Sequence, residues 1–410
     1  MKIKTKPEDF IVEELSHINP GSSGPFALYQ LRKYGWNTTD VLDHVAKGHR
    51  IPRRMLQYGG RKDRWAITTQ YITVGPNCPV DLSGEFRSSP QAESFYEFRL
   101  LGAIGQPMSP GLIAANSFHV VVRELELAEA NTALARASSV LLQLGIPNYF
   151  DDQRFRGSTQ RTGFAAERIM RGQWRGALQS ILDGLGYLGS LENWEDWNKL
   201  SQKAKQSWVR RICTHLQQNP QDYLGALHLI PQDELAIHYA AFQAYIWNEL
   251  LRRAMISLDV PLLAYPGDAG PYLFFDPQTP DHRHAIERLA ESLATLPGPK
   301  ASFSDELLGK LYLEVLADCG VAPPDFNVRR LRKVFFKATP RSLLVTPSHL
   351  RVSGPDPDDL HPGKFKLSLE FSLPRGSYGT MVVKSLFAKT LEGGISSGIQ
   401  RFGSQTRQYT

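Results

Sequence analysis

The stretch Gly59-Gly60-Arg61-Lys62-Asp63-Arg64-Trp65-Ala66-Ile67-Thr68-Thr69-Gln70-Tyr71-Ile72-Thr73-Val74 turns from a glycine-led basic loop into a β-rich run. Two adjacent glycines suit a tight turn or a close backbone approach. The run from Ile67 to Val74 is rich in β-branched residues and reads as a strand. Asp63 therefore sits on a loop entering a strand. Seven cations lie between Lys47 and Arg64: Lys47, Arg50, Arg53, Arg54, Arg61, Lys62 and Arg64. Asp63 is the one carboxylate among them. Cationic neighbours keep a carboxylate ionised. An ionised acid in a field that draws polyanions can serve as nucleophile or base on a nucleic acid. Simple pairing of Asp63 with Arg61 or Arg64 is the structural alternative.

The wider chain agrees with a folded protein that meets a polyanion. It has 410 residues, 42% hydrophobic and 21% charged, with a net charge of +6. That length supports more than one domain. Cys78, Cys213 and Cys319 are odd in number and far apart, so neither a disulfide framework nor a zinc spacing is legible. His282 and His284 form an isolated pair, read as part of a solvated loop rather than a metal site. No apolar run is long enough to span a bilayer, and the first residues lack a signal-peptide core, so a cytoplasmic setting is expected.

Strands are expected at Phe10 to Val12, Phe26 to Arg32, 67–74, 94–101 and 117–123. In the last of these, Phe118, Val120 and Val122 alternate with polar neighbours. The sharpest period of two is Phe365, Leu367, Leu369 and Phe371 against Lys366, Ser368 and Glu370. A helix is expected from Thr39 to Lys47, with Asn37, Thr38 or Thr39 as cap and Gly48 as stop. Another should cover 129–144, carrying Leu134, Val140, Leu141 and Leu144. Residues 160–229 read as mainly helical and charge-rich. Phe242 to Leu251 is a strong helix with a broad apolar face, and 304–318 is a further helix. Leu373 to Lys384 reads as a turn entering a strand or helix. The Gly/Ser/Gln-rich tail after Glu392 is expected to fray.

Two other segments bear on function. Asn148 to Gly157 carries three aromatics among Asn, Gln and Arg side chains. Aromatic faces stack bases and the polar groups read base edges or phosphates, or the rings plug a core edge. Arg329, Arg330, Arg332, Lys333, Lys337 and Arg341 fall within thirteen positions without an acid, suiting either phosphate contact or a solvated helix end.

Five of these stretches, in order from residue 4 to residue 384, resemble the TruD family of pseudouridine synthases. They are Lys4-Thr5-Lys6-Pro7-Glu8-Asp9-Phe10-Ile11-Val12-Glu13; Lys33-Tyr34-Gly35-Trp36-Asn37-Thr38; Gly60-Arg61-Lys62-Asp63-Arg64 with Ala66 and Thr68 or Thr69; Asn148-Tyr149-Phe150 with Gln153-Arg154-Phe155; and Leu373-Pro374-Arg375-Gly376-Ser377-Tyr378 with Thr380-Met381-Val382. Trp65 stands where the family commonly has His, and Asp151 where it usually has Gly.

The resemblance implies an α+β fold. A pseudouridine-synthase-like catalytic domain, with a mixed, largely antiparallel sheet flanked by helices, is interrupted by an inserted α/β domain. The catalytic domain is expected over 1–230 and 334–410 and the insert over 231–333. The implied activity is isomerisation of a uridine in transfer RNA, usually uridine 13, to pseudouridine, without metal or cofactor. Asp63 carries over as the catalytic acid, with Lys4 as the cation that keeps it ionised. Phe10, Phe150 and Tyr378 carry over as aromatic walls for the uracil, Asn148 as a hydrogen-bonding partner, and Arg64 and Arg154 as further substrate contacts. The partner is transfer RNA, with no membrane association, and the default state is a monomer. Two other readings share the basic charge. A non-catalytic RNA-binding protein would not require Asp63. An RNA methyltransferase would need a glycine-rich cofactor turn opening a helix, but Gly59-Gly60 leads into Arg-Lys-Asp. The same stretch lacks the GxxxxGK[ST] spacing of a phosphate loop.

Overall fold

The computed structural model describes residues 1–76, 78–89, 93–137, 144–155, 163–188, 194–331 and 334–390. Val140 and Leu141 of the expected helix, Arg156, Gly157, Arg161, the cations Arg332 and Lys333, and the tail after Glu392 fall outside these residues. The chain divides into two compact units, Met1–Gly145 with Thr346–Leu386, and Ile146–Val345 with Phe387–Thr410. By compactness, residues 146–230 group with 231–333. The reason lies in the helix Gln232–Ile256, which is buried around most of its girth through Tyr239, Phe242, Ile246, Trp247, Leu250 and Leu251. A helix apolar on all sides must be surrounded. Helices Ala165–Met170 and Glu306–Asp318 both pack against it.

In chain order the strands are β1 Phe10–Ser16, β2 Phe26–Tyr34, β3 Leu56–Tyr58, β4 Ile67–Val74, β5 Gly84–Arg87, β6 Phe95–Ile104 and β7 Ile113–Leu125. Then come β8 Ile146–Pro147, β9 Leu262–Tyr265, β10 Tyr272–Phe275, β11 Leu344–Val345, β12 Ser348–Pro357, β13 Phe365–Pro374 and β14 Lys389–Thr390. The first unit is built on a nine-stranded sheet in the order β12-β13-β7-β1-β4-β2-β6-β5, with β3 also paired to β4. Only β1 and β4 run parallel among these pairs; the others are antiparallel. The sheet is thus mixed and largely antiparallel, and the fold is α+β.

The two-residue period of β13 does what it suggests. Leu367, Leu369, Phe371 and Leu373 are buried. Phe371 stacks on Phe118 of β7 with ring centroids 5.2 Å apart. In β1, Phe10, Val12 and Glu14 are buried on one face while Glu13 and Leu15 face out. An acid on the inward face of a strand requires a partner. The helix Thr38–Gly48 presents Val41, Leu42, Val45 and Ala46 to Tyr29, Leu31, Leu56, Ile72, Val74 and Phe98 of the sheet. Asn37 occupies its N-cap position, and its amide nitrogen donates to Asp40 at 2.7 Å. The helix after β7 covers Leu127–Arg136. The turn after β13 opens a helix, Gly379–Leu386. His282 and His284 lie in the helix Pro280–Glu291, not in a loop, because Thr279 caps it and Pro280 opens it.

The first residues are tied to the sheet by a buried charge cluster. Lys2 exchanges both main-chain hydrogen bonds with Arg123 of β7, at 2.9 and 2.8 Å. The Arg123 guanidinium donates to Asp9 at 2.9 and 3.0 Å, to Asp358 at 2.9 Å and to Asp359 at 2.7 Å. Lys6 donates from its main chain to Asp9 and from its side chain to Asp359, each at 2.8 Å. Asp9, Arg123 and Asp358 are buried. Between these anchors stands Lys4.

Candidate active site

Asp63 lies on the irregular segment between β3 and β4, just before Ile67. Its side chain is 22% exposed, neither sealed nor fully solvated. Lys4 closes an ion pair onto its Oδ2. Lys4 itself has φ +60°. That left-handed conformation is costly for a residue with a Cβ, and such outliers cluster at functional sites. The Lys4 ammonium also rests 4.4 Å from the centroid of the Phe10 ring. The second carboxylate oxygen, Oδ1, accepts the main-chain N–H of Trp65 at 2.9 Å.

These contacts fix the charge state of Asp63. Burial pushes its pKa up; the charge and hydrogen bond of Lys4, the Trp65 N–H and the more distant Lys33 together outweigh it. The carboxyl is held below the ordinary aspartate range. The basic field thus condenses to one specific partner. Neither Arg61 nor Arg64 fills that role: the Arg64 Nε donates to the Gly35 carbonyl at 2.8 Å, and its guanidinium covers Trp65 at 4.9 Å.

Lys62, next to Asp63, points inward. It pairs with Glu14 at 3.0 Å and donates to the Asn116 side-chain oxygen. Burial raises the pKa of Glu14 and lowers that of Lys62. Lys62 is therefore no phosphate contact, whereas Lys47, Arg50, Arg54 and Arg61 are exposed. Phe10 is 4% exposed and meets Phe118 edge-on at 6.4 Å. Tyr378 is half-buried at the mouth of the helix Gly379–Leu386, and its carbonyl accepts the Met381 N–H at 3.0 Å. Trp65, at 49% exposure, is an aromatic beside Asp63 that the sequence marked only as a departure from a pattern.

In the second unit, Asn148, Phe150 and Arg154 form a separate cluster. The Asn148 amide nitrogen donates to the Ser342 carbonyl at 2.9 Å. Its side-chain oxygen accepts from Arg341 at 2.8 Å, and its carbonyl accepts from Arg341 at 2.9 Å and from the Trp247 indole at 3.0 Å. Phe150 is 6% exposed. The Arg341 guanidinium lies 4.1 Å from its centroid and that of Arg154 lies 5.5 Å away. Asn248 brackets the Phe150 main chain, accepting from its N–H and donating to its carbonyl, both at 2.9 Å. Tyr149 and Phe155 are also buried, so all three aromatics of the 148–157 stretch plug a core edge in this conformation. Arg341, in a run whose sequence suited either phosphate contact or a solvated helix end, braces this cluster. Phe335, in the same basic run, is 70% exposed.

A family model for tRNA pseudouridine synthase D (TruD) matches residues 1–386. The chain is 28% identical to a Methanocaldococcus jannaschii protein designated a probable tRNA pseudouridine synthase D 2, over 94% of this chain and 92% of that one. It is 26% identical to the tRNA pseudouridine synthase D of Aquifex aeolicus, over 96% of this chain and 99% of that one. A Methanosarcina mazei crystal structure bearing the TruD designation superposes with a TM-score of 0.63 at 24% identity, over 94% of this chain and 93% of that one, and so shares the fold. These matches place the chain among the isomerases that make pseudouridine in transfer RNA. It belongs to the TruD family.

Proposed function

We propose that the protein isomerises one uridine of transfer RNA, uridine 13, and that Asp63 is the carboxylate that acts on it. The observation that carries this reading is the Lys4–Asp63 ion pair, partly open to solvent and set against Phe10. The reaction breaks the N1–C1′ bond, turns the base, and forms a C5–C1′ bond. The base gains a hydrogen at N1 and releases the one at C5, so the change is an isomerisation with no net oxidation. An anionic acid beside C1′ and C6 can add covalently or take a proton from the sugar. The nucleotide must leave the stack to reach it.

Phe10, Tyr378 and Arg64 of the first unit are assigned to holding the nucleotide, and Asn148, Phe150 and Arg154 of the second unit are assigned, each by itself, to contact with the RNA. The exposed cations Lys47, Arg50, Arg54 and Arg61 supply a surface for phosphates. Residues 231–333 are assigned to an inserted domain, and 1–230 with 334–410 to the catalytic domain. Among the described residues no helix is long and apolar enough to cross a membrane. A cytoplasmic monomer working without cofactor completes the proposal.

The test is incubation of the purified protein with transfer RNA labelled with tritium at uridine C5, nothing else added, followed by mapping of pseudouridine. Release of label with pseudouridine at position 13, and no product there when position 13 carries cytidine, is expected. Pseudouridine at another position would overturn the target, and no release at all would overturn the activity.

A further inference from the structure

Beneath Asp63 lies a group that the proposed chemistry leaves unused. Lys33, on β2, is fully buried. Its ammonium nitrogen donates to the main-chain carbonyl of Asp63 at 2.8 Å and stands 3.5 Å from that of Lys62. An amine shut away from water is costly unless it bonds to something. A methionine would fill the same length of strand without that cost, so the contact with the loop is what the lysine adds.

The rest of the loop is held in the same manner. The Thr38 hydroxyl accepts the Lys62 N–H at 3.1 Å and donates to Gln70 at 2.8 Å. Gln70 in turn donates to the Gly60 carbonyl at 3.2 Å. Two of these bonds hold the loop, at Lys62 and Gly60; Lys33 is the one that grips Asp63's own main chain.

We propose that Lys33 is a positioning residue for the isomerisation: by fixing the main-chain carbonyl of Asp63 it sets the direction of the Asp63 carboxylate toward Lys4 and the nucleotide. The proposal rests on the reading of Asp63 as the reacting acid. The charged groups facing the amine are Asp63 and Lys62 from the loop and Asp40 from the helix Thr38–Gly48. Burial, opposed by the charge of Asp63, brings the Lys33 pKa down to about 7. A neutral amine has two N–H groups for the two carbonyls, whereas the ammonium adds a third N–H and a charge. The grip on the loop therefore changes near neutral pH.

The experiment compares full-length wild type, Lys33→Met, Lys33→Gln and Asp63→Asn by single-turnover release of C5 tritium and by transfer RNA binding, across the pH range. Displacing a reacting group by about 1 Å can cost on the order of 100-fold in rate, and Lys33→Met is expected to lose about that much at unaltered RNA affinity. A step near pH 7 in the wild-type rate should be absent from Lys33→Met. Lys33→Gln, which keeps an N–H donor, should recover part of the rate; it also serves if the Met variant does not fold. Wild-type rate and pH profile in both variants would overturn the role. So would a loss that tracks the unfolded fraction seen by circular dichroism and vanishes on cooling. An inactive Asp63→Asn beside a normal Lys33→Met fails the positioning role alone; an active Asp63→Asn fails the reading beneath it.

Discussion

Asp63→Asn is expected to leave transfer RNA bound and to stop its isomerisation. Asparagine has nearly the shape of aspartate, and its side-chain oxygen can still accept the Trp65 N–H that Oδ1 accepts at 2.9 Å. What disappears is the negative charge. An amide neither adds to a sugar or pyrimidine carbon as a carboxylate does nor takes a proton. The loss in single-turnover rate should be on the order of 10⁴-fold, the upper range for a positioned acid or base. Affinity should hold or improve, because an anion is removed from a surface where Lys47, Arg50, Arg54 and Arg61 are exposed to phosphates. Filter binding alongside tritium release checks both halves. Equal losses in binding and turnover would make Asp63 a structural acid, and undiminished turnover would remove it from the chemistry.

Arg123→Met is expected to give the largest loss of stability. The variant keeps the apolar stem but leaves Asp9 and Asp358 buried without their cation. Stranding buried charge in this way costs about 3–5 kcal/mol. The measurement is the urea midpoint of the transition that unfolds the sheet. Acid should reproduce part of the effect in the wild type. Burial raises the pKa of Asp358, but main-chain N–H groups, His361 and Arg123 bring it far below the ordinary value. A folded-state pKa below the unfolded one contributes stability that is fully present above the unfolded value and lost as pH falls through the folded one. The Met variant should therefore lose less than wild type as the medium is acidified below about pH 4. Because Lys6 is bound to Asp9 and Asp359 of the same cluster, catalysis should fall as well, through misplacement of Lys4. An unaltered midpoint would show that the cluster adds no stability.

Much of the sheet was readable because one of its faces is buried. The run 67–74 is rich in β-branched residues, the alternation of Leu367, Leu369 and Phe371 states a period of two, and both are strands. The neighbours of β1, parallel β4 on one side and antiparallel β7 on the other, are long-range facts that no local pattern holds. The TruD resemblance supplied the sheet type. Helix ends were legible where Asn37 and Gly48 punctuate them, whereas the stretch opened by Thr279 and Pro280 reads as a loop and is a helix.

At the candidate site, the loop position of Asp63 followed from two glycines and a β-branched run, while its pairing with Lys4 came only from the resemblance. Charge clustering could not tell exposed Arg61 from inward-facing Lys62, since adjacent residues on a loop take opposite directions. Glu14 on the apolar face of β1 was the available signal that a buried cation must meet it. Lys33 on β2 gave a similar signal, at a position whose neighbours Arg32 and Tyr34 are less buried. The 148–157 aromatics could be read either as base-stacking or as plugging a core edge; what no local pattern held is that Arg341 and Asn248 brace Phe150 there.

The central claim is that Lys4 keeps Asp63 ionised for the reaction. Its most direct test is the acid limb of the single-turnover rate in wild type and in Lys4→Met, with the enzyme in excess over labelled transfer RNA. In wild type the Asp63 carboxyl is held below the ordinary range, so on the acid side of the Lys33 step near pH 7 the rate should show no further fall as pH drops to about 4. Without Lys4 the carboxyl loses the strongest of the contacts that lower its pKa, protonation comes at higher pH, and the acid limb should move up in pH. An acid limb at the same pH in both proteins would contradict the account.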